Sequence, residues 1–444
     1  MKTERADYIA AIQELGGDKE GRDSMLAAVE QSDAWVHGAP VAFSYVPNLF
    51  NAEDMAFIQH TCSMTHTILT KVIDKFLTDP SYREIFHFPA EVERLILLPC
   101  GYSEKLPMGR FDIFLDEDDL SYKFCEFNTD GSGAMSRDLI VSTAMMQTPA
   151  FKRFAQGRDV QNFELFDSWV EAFMENYRDD PYSKERPNPT VCVTDFKESG
   201  VFSDFNRFIA AFERAGIPAR FVDVRSFEFD GEKLIDPKDG TRIDAIYRRS
   251  VTSEILQHPG ECDALIKAVE AQKVVLIGHF RTTVVHSKMV NVALFDPRTR
   301  EFLTDEEWDF VQAHVPATYR LRHDTADLDV AAIKAHKDAW IIKPEDDYGA
   351  SGVFPGIDFE QEQWEHLVDE NMDNSYIAQE FYTPHKVDVV LPADDSYTVQ
   401  QWQQMPGFYQ YNGKAVGFYV RLGNEGVIAL DHGGIIANSF KVDC

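Results

Sequence analysis

Apolar positions recur along this chain in two rhythms. After Asn51, residues Ile58, Cys62, Thr65, Leu69, Val72 and Phe76 return every three or four positions, the spacing that lines one face of an α-helix. Asn51 carries the short oxygen-bearing side chain that caps helix N-termini, and the first hundred residues as a whole read as mainly helical. Between Arg94 and Asn128 the rhythm shortens to apolar runs at 95–98, 111–115 and 122–127, the last two separated by the acidic turn 116–119. These predict strands, the second and third forming a hairpin. A helical stretch over 136–178 follows, and the polar segment 178–189 marks a lobe boundary.

Beyond it, 190–194 has the pattern of a buried strand and 204–215 that of an amphipathic helix ended by Gly216 and Pro218. A second strand is expected at 219–222. Strand, helix, strand in so short a span is a βαβ unit, continued by runs at 243–247 and 274–277. No GxGxxG follows the first strand, so dinucleotide binding is not supported. The remainder mixes strands at 339–342, 376–379 and 417–421 with glycine-bearing loops, where nucleotide chemistry would sit. The expected regions are a helical 1–109, a hairpin and helices over 110–180, a Rossmann-like α/β lobe over 181–282, and nucleotide-binding lobes over 283–444. A chain of 444 residues exceeds what one core usually serves, which fits several lobes.

Charge narrows the range of partners. Against 43 Lys and Arg stand 74 Asp and Glu, for a formal net charge of −31 spread along the chain. Such a field repels nucleic acid and anionic membranes and favours cations such as polyamines or metal ions. The six cysteines are widely spaced with no CxxC, as in reduced thiols of a cytoplasmic protein. No signal peptide or membrane-spanning run is visible.

Two constellations carry chemistry. In the hairpin GRFDIFLDEDDLSYKFCEFN, alternation puts Arg110 with Asp112 on one face and Glu126 with Asn128 likewise. One register sets Asp112 opposite Glu126 and Arg110 opposite Asn128. Opposed carboxylates repel unless a cation lies between them, and hard oxygen donors of this kind suit Mg²⁺. A one-residue slip would dissolve the group. The second constellation is AWIIKPEDDYGASGV, where a strand delivers Lys343 ahead of Gly349, Ala350, Ser351 and Gly352. Small residues let backbone N–H groups approach phosphate oxygens beside a neutralising lysine, although no Walker A motif is present. Weaker candidates are Lys288 as a second phosphate or adenine contact, Gln379 and Glu380 on a strand edge facing an adenine, and Arg421 as a stabiliser of a transferred phosphoryl group.

Taken in order, Arg110-x-Asp112, Glu126-x-Asn128, Lys288, Lys343-Pro344 with its small-residue loop, Gln379 and Arg421 resemble the synthetase domain of the glutathionylspermidine and trypanothione synthetases. In that circularly permuted ATP-grasp family the Glu-x-Asn motif precedes the lysines, as here. The resemblance runs from about Arg110 onward and implies an α/β (α+β) ATP-grasp-like fold with a Rossmann-like middle lobe. It implies Mg²⁺ on Asp112, Glu126 and Asn128, and ATP held by Lys288, Lys343, Gly349, Ser351, Gly352, Gln379 and Glu380. Arg110 and Arg421 are then the catalytic arginines of a ligase that joins a carboxylate to an amine, a polyamine among the amines it would take. Tyr348 and Gly131 stand where the family tends to have an arginine and a serine, so the substrate pair stays open. No amidase domain is expected in 1–109, where Cys62 lies on the helical face. The competing expectations are an ATP-binding regulator or scaffold without catalysis, and an α/β protein binding a cationic ligand.

Overall fold

The computed structural model describes residues 1–345 and 352–443. Helix α1 (Ala52–Thr78) begins at Asn51, whose Oδ1 accepts from the backbone N–H groups of Glu53 and Asp54 at 3.0 Å each, while Asp54 accepts back from Asn51. This reciprocal cap fixes the start of a 27-residue helix. Its apolar face, Ile58, Cys62, Leu69, Val72 and Phe76 among them, is buried in the largest sheet's core. Burial also pushes the Cys62 thiol up to about 12, so this cysteine packs and is not poised to react.

That sheet holds the hairpin. Strands β1 (Met108–Leu115) and β2 (Tyr122–Asn128) pair antiparallel in the expected register, Arg110 opposite Asn128 and Asp112 opposite Glu126. A bulge follows Asp112. Helix α2 (Met135–Met145) leaves the end of β2 after a short turn.

A separate four-stranded sheet is wholly parallel. It contains β3 (Val191–Asp195), then α3 (Phe202–Arg214), β4 (Ala219–Asp223), β5 (Ala245–Arg248) and β6 (Val275–Ile277), with strand order β6-β5-β3-β4. Helix α3 buries Phe205, Phe208, Ala211 and Phe212. Crossover helices cover parallel strands on their faces, which accounts for the continuous Val-Cys-Val run of β3.

Strand β7 (Trp340–Pro344) pairs with β8 (Tyr376–Glu380), which also pairs with Thr318–Arg320; β8 is therefore an interior strand rather than an edge. Strands β9 (Gln400–Tyr411) and β10 (Lys414–Gly423) return to the first sheet, β9 lying between β1 and β10. No helix among the described residues is long and apolar enough to cross a membrane.

Two local expectations fail. The run 95–98 is not a strand: residues Ala90–Ile96 form a helix, started at Pro89, with Glu91 and Glu93 in its first turn and Val92, Leu95 and Ile96 buried at helical spacing. The stretch 136–178 is not continuously helical, because Asp159–Asn162 is a strand paired with Ser439–Asp443. The first hundred residues are mainly helical and also include the hairpin Trp35–Val36 with Ala39–Pro40, and the strand Asn48–Phe50, which lies parallel to the same late strand.

Asp195 closes β3 with 7% of its surface exposed. Burial pushes its carboxyl from 3.8 up to about 7, against the pull of Arg249 and with repulsion from Glu254. A raised acid pKa means the folded state holds the proton more tightly, so the contribution is complete below the unfolded value and is lost as pH rises toward 7. Asp195→Asn is expected to remove that slope, leaving the variant the more stable by roughly 2–4 kcal/mol at pH 8 and nearly equal at pH 4. Urea unfolding at both pH values measures the difference.

Candidate functional site

One face of the large sheet brings together residues from four strands. Across it run Glu126 on β2, Asp112 on β1, Gly407 on β9 and Tyr419 on β10, each paired to the next; the neighbouring row joins Asn128, Arg110 and Tyr409. Asp112 is completely buried. Arg110 donates to it twice, Nε to Oδ1 at 2.7 Å and Nη2 to Oδ2 at 3.0 Å, and Asn128 Nδ2 donates to Oδ2 at 2.9 Å. Arg421 Nη2 also donates to Oδ2.

The last contact depends on a missing side chain. Arg421 and Asp112 lie on strands separated by β9, roughly 10 Å at the usual spacing between strands. Gly407 leaves the gap between them open: a Cβ there would lie 2.1 Å from Asp112 Oδ1 and 2.9 Å from Arg110 Cδ. The two guanidiniums therefore close on one carboxylate from both sides. They also lie over the Tyr419 ring, at 5.4 Å for Arg110 and 6.0 Å for Arg421.

Electrostatically the group is tightly coupled. Loss of hydration works against charge on Arg110, but Asp112 outweighs it and holds the guanidinium charged. Burial pushes the Asp112 carboxyl upward against Arg110 and Arg421. Four converging N–H donors favour its ionised form, and the fork geometry supports a charged pair. Glu126 is drawn the other way: burial would raise it, but Arg421, Lys288, the Asn128 hydrogen bond and Arg110 hold it well below the usual carboxylate range.

Beside this face opens a cavity of about 380 Å³, the size of a small-molecule site. Arg110, Glu126, Asn128, Lys288, Lys343 and Arg421 line it. Lys343 is 8% exposed and donates to Gln379 Oε1 at 2.9 Å, its diagonal neighbour on β8. Gln379 in turn donates to Thr318 Oγ1 at 2.9 Å. Among the described residues no carboxylate pairs with this buried ammonium. Lys288 reaches the same cavity because its segment docks on the end of β7, the Lys288 N–H donating to Glu345 O at 3.2 Å, and Arg320 anchors the Glu345 carboxylate. Aromatic and apolar side chains, Phe114, Phe124, Ile341, Phe381, Tyr382 and Met405, form a further wall, with Phe114 and Tyr382 stacked at 6.3 Å between centroids.

The expected residues thus divide. Arg110, Glu126, Asn128, Lys288, Lys343, Gln379, Glu380 and Arg421 all line one cavity. Asp112 does not: it stands behind them, its oxygens taken by the arginines and Asn128. Gln379 is buried and orients Lys343, while Glu380 is exposed at the rim and accepts from the Ala317 N–H at 3.2 Å. Gly352, at φ +67°, packs against the Tyr376 hydroxyl and is not a lining residue. Gly349 and Ser351 lie outside the described residues, as does Tyr348.

Sequence reasoning missed Gly407, although a glycine inside a strand signals close approach. It also missed the clasp behind the hairpin. Asp130 accepts from the Thr252 N–H at 2.8 Å and its hydroxyl at 2.7 Å, and pairs with Arg248 at the end of β5. Gly131, at φ +71°, lies so close that a Cβ would stand 2.4 Å from Arg249 O, which leaves no room for a serine.

The donor set fits a small hard cation. Asn128 Nδ2 sits between Asp112 Oδ2 and Glu126 Oε1, at 2.9 and 3.1 Å, where a positive charge would be held. A half-turn of the amide would present its oxygen beside Glu126 instead. Arg421 Nε, also buried, has no hydrogen-bond partner among the described residues.

No protein-family model and no curated protein sequence matches this chain. Among solved structures, it is similar to a glutathione synthetase-like effector from Globodera pallida in its apo form, at 13% identity and a TM-score of 0.57. The match covers 96% of this chain and 97% of that one. The chain is a mixed α/β protein that shares its fold with that synthetase-like effector along nearly the full length of both.

Gly407→Ala is expected to force Arg110 and Arg421 off Asp112 and to lower stability by about 1–3 kcal/mol. Gly423→Ala is the control, since its Cβ would meet Ile428 at 3.4 Å, an ordinary contact. Denaturant unfolding of the two variants should separate them clearly.

Proposed function

We propose that this chain is an ATP- and Mg²⁺-dependent carboxylate–amine ligase of the glutathionylspermidine synthetase-like, permuted ATP-grasp kind. The observation that carries the reading is Lys343: a buried ammonium whose partner among the described residues is an uncharged amide. Such a group is costly without an anion beside it. Arg110, Arg137, Lys288 and Arg421 line the same cavity, so five Lys and Arg side chains stand against the four carboxylates Glu126, Glu345, Glu380 and Asp431, of which Glu345 is already held by Arg320 and Asp431 by His37. In a protein of net charge −31, a local excess of positive charge in a cavity suits a polyphosphate.

The aromatic wall at Phe114 and Tyr382 suits a flat base. Lys343 and Lys288 would neutralise phosphate oxygens between that wall and Glu126. Mg²⁺, held by Glu126 and Asn128 with Asp112 behind them, would offset phosphate charge and draw electron density from the transferring group. In the reaction, a donor carboxylate oxygen bonds to the γ-phosphorus as the bond to the β-phosphate oxygen breaks, releasing ADP. An amine then attacks the acyl carbon, phosphate leaves and the nitrogen gives up a proton, leaving an amide.

The chain's residues supply position and charge. Arg110 and Arg421, immobilised on Asp112, present fixed N–H groups where negative charge builds, with no reorganisation needed at the moment of reaction. Gln379 fixes the direction of Lys343. The acidic exterior favours approach of a cationic amine.

Mg·ATP at a hundredfold excess over its Kd should stabilise the protein by about 2.7 kcal/mol in a thermal-shift titration. Lys343→Met should abolish that shift. Purified protein should release ADP with a suitable acid and amine, and Glu126→Gln should lower that rate about 100-fold or more. Absence of any Mg²⁺-dependent ATP shift overturns the reading. Binding without turnover for every acid–amine pair would mark a nucleotide-binding regulator or scaffold instead.

A further inference from the structure

Arg137 is singular among the arginines of this protein. With 74 acidic residues available, every other described arginine donates to a carboxylate, carbonyl or hydroxyl, except Arg178, which is exposed on the surface. Arg137 is partly buried, lines the cavity, and has no hydrogen bond or ion pair with a described residue.

Its place in α2 does not account for it. Arg137 is the third residue of the helix, in the N-terminal turn, where the helix dipole disfavours a cation. Two of the N–H groups there are already satisfied, since Asp204 accepts from Ala134 at 2.9 Å and from Ser136 at 2.8 Å. The guanidinium is therefore the unused donor of this wall.

The hairpin fixes which end of the cavity this is. Phe114 stacks with Tyr382 at one end of β1; Arg110 lies four residues back, about 13 Å along the strand. Arg110 Nη1 and the Tyr409 hydroxyl both donate to Gly133 O, at 3.4 and 2.6 Å, and Arg137 follows one helical turn later. Lys343 is hydrogen-bonded to Gln379, three residues before the Tyr382 that stacks on Phe114, which puts this lysine toward the Phe114 side of Arg110. Arg137 thus lies beyond the reacting position, away from the base and the phosphates. The lining also includes the apolar residues Val36, Val201, Ile428 and Leu430, together with Asp431, whose carboxylate is paired with His37 at 2.6 Å.

We propose that Arg137 binds a second carboxylate of the donor acid, one held away from the reacting carboxylate by a short apolar stem. This rests on the ligase reading and narrows it: the donor is a dicarboxylate or an amino acid or peptide with two separated carboxylates. The apolar residues take the stem, Arg137 takes the distal anion, and Arg110 receives the reacting end.

The test titrates glutarate, glutamate and the mono-acid valerate by calorimetry against the full chain, with and without Mg·ADP. The two diacids should bind about tenfold or more tightly than valerate. Arg137→Gln should erase that preference, Arg137→Lys should keep part of it, and the ADP affinity of both variants should stay within about twofold. Equal binding of diacid and mono-acid, no binding of either diacid, or a parallel loss of ADP affinity in Arg137→Gln would each overturn the assignment. Failure of the ligase reading is a different outcome: diacids preferred through Arg137, with no ADP released from ATP by any acid–amine pair.

Discussion

The site is organised around one carboxylate that cannot be hydrated. Asp112 sits in the middle of a sheet face with no exposed surface, and an isolated charge there would be prohibitively unfavourable. Two guanidiniums from different strands and an amide from a third remove that penalty and lose their own freedom in doing so. Asp112 thus acts less as a reagent than as a fixed seat for the groups that face the cavity. Gly407 makes the seat possible, and the bulge after Asp112 shifts the register before pairing resumes at Ile113 and Phe124.

The same logic governs the cavity as a whole. Lys343 is positioned by an uncharged amide, Gln379, the Lys288 backbone docks on Glu345 O, and the Glu345 carboxylate is itself held by Arg320. The parallel sheet contributes from behind, where Arg248 and Thr252 grip Asp130 two residues past the hairpin.

Much of this was legible in the sequence because strand alternation has period two. The alternation of Arg110 with Asp112 and of Glu126 with Asn128 specified both a face and a register, and the structure has that register. The parallel lobe was legible for a different reason: β3, β5 and β6 are short, continuously buried runs. What failed was set by distant partners. The strand Asp159–Asn162 is polar and exists because Ser439–Asp443 lies beside it. The run 95–98 has too few residues for periodicity to distinguish helix from strand. Gln379 lines the cavity, but its contact with Lys343 follows only from the diagonal pairing of β7 and β8.

The arrangement of strands around Asp112 also sets an order of events in folding. Its amide partner lies 16 residues away, whereas its second arginine is 309 residues distant. A hairpin such as β1–β2 can close within microseconds, but it then presents an unpaired edge and an unneutralised carboxylate until β9 and β10 arrive. During synthesis on a ribosome, that interval is the time needed to translate almost the entire remainder of the chain. The first half of the site must therefore wait, incomplete and adhesive, for the last. A nascent chain of this protein is thus most in need of a chaperone after β2 has emerged and before β10 has.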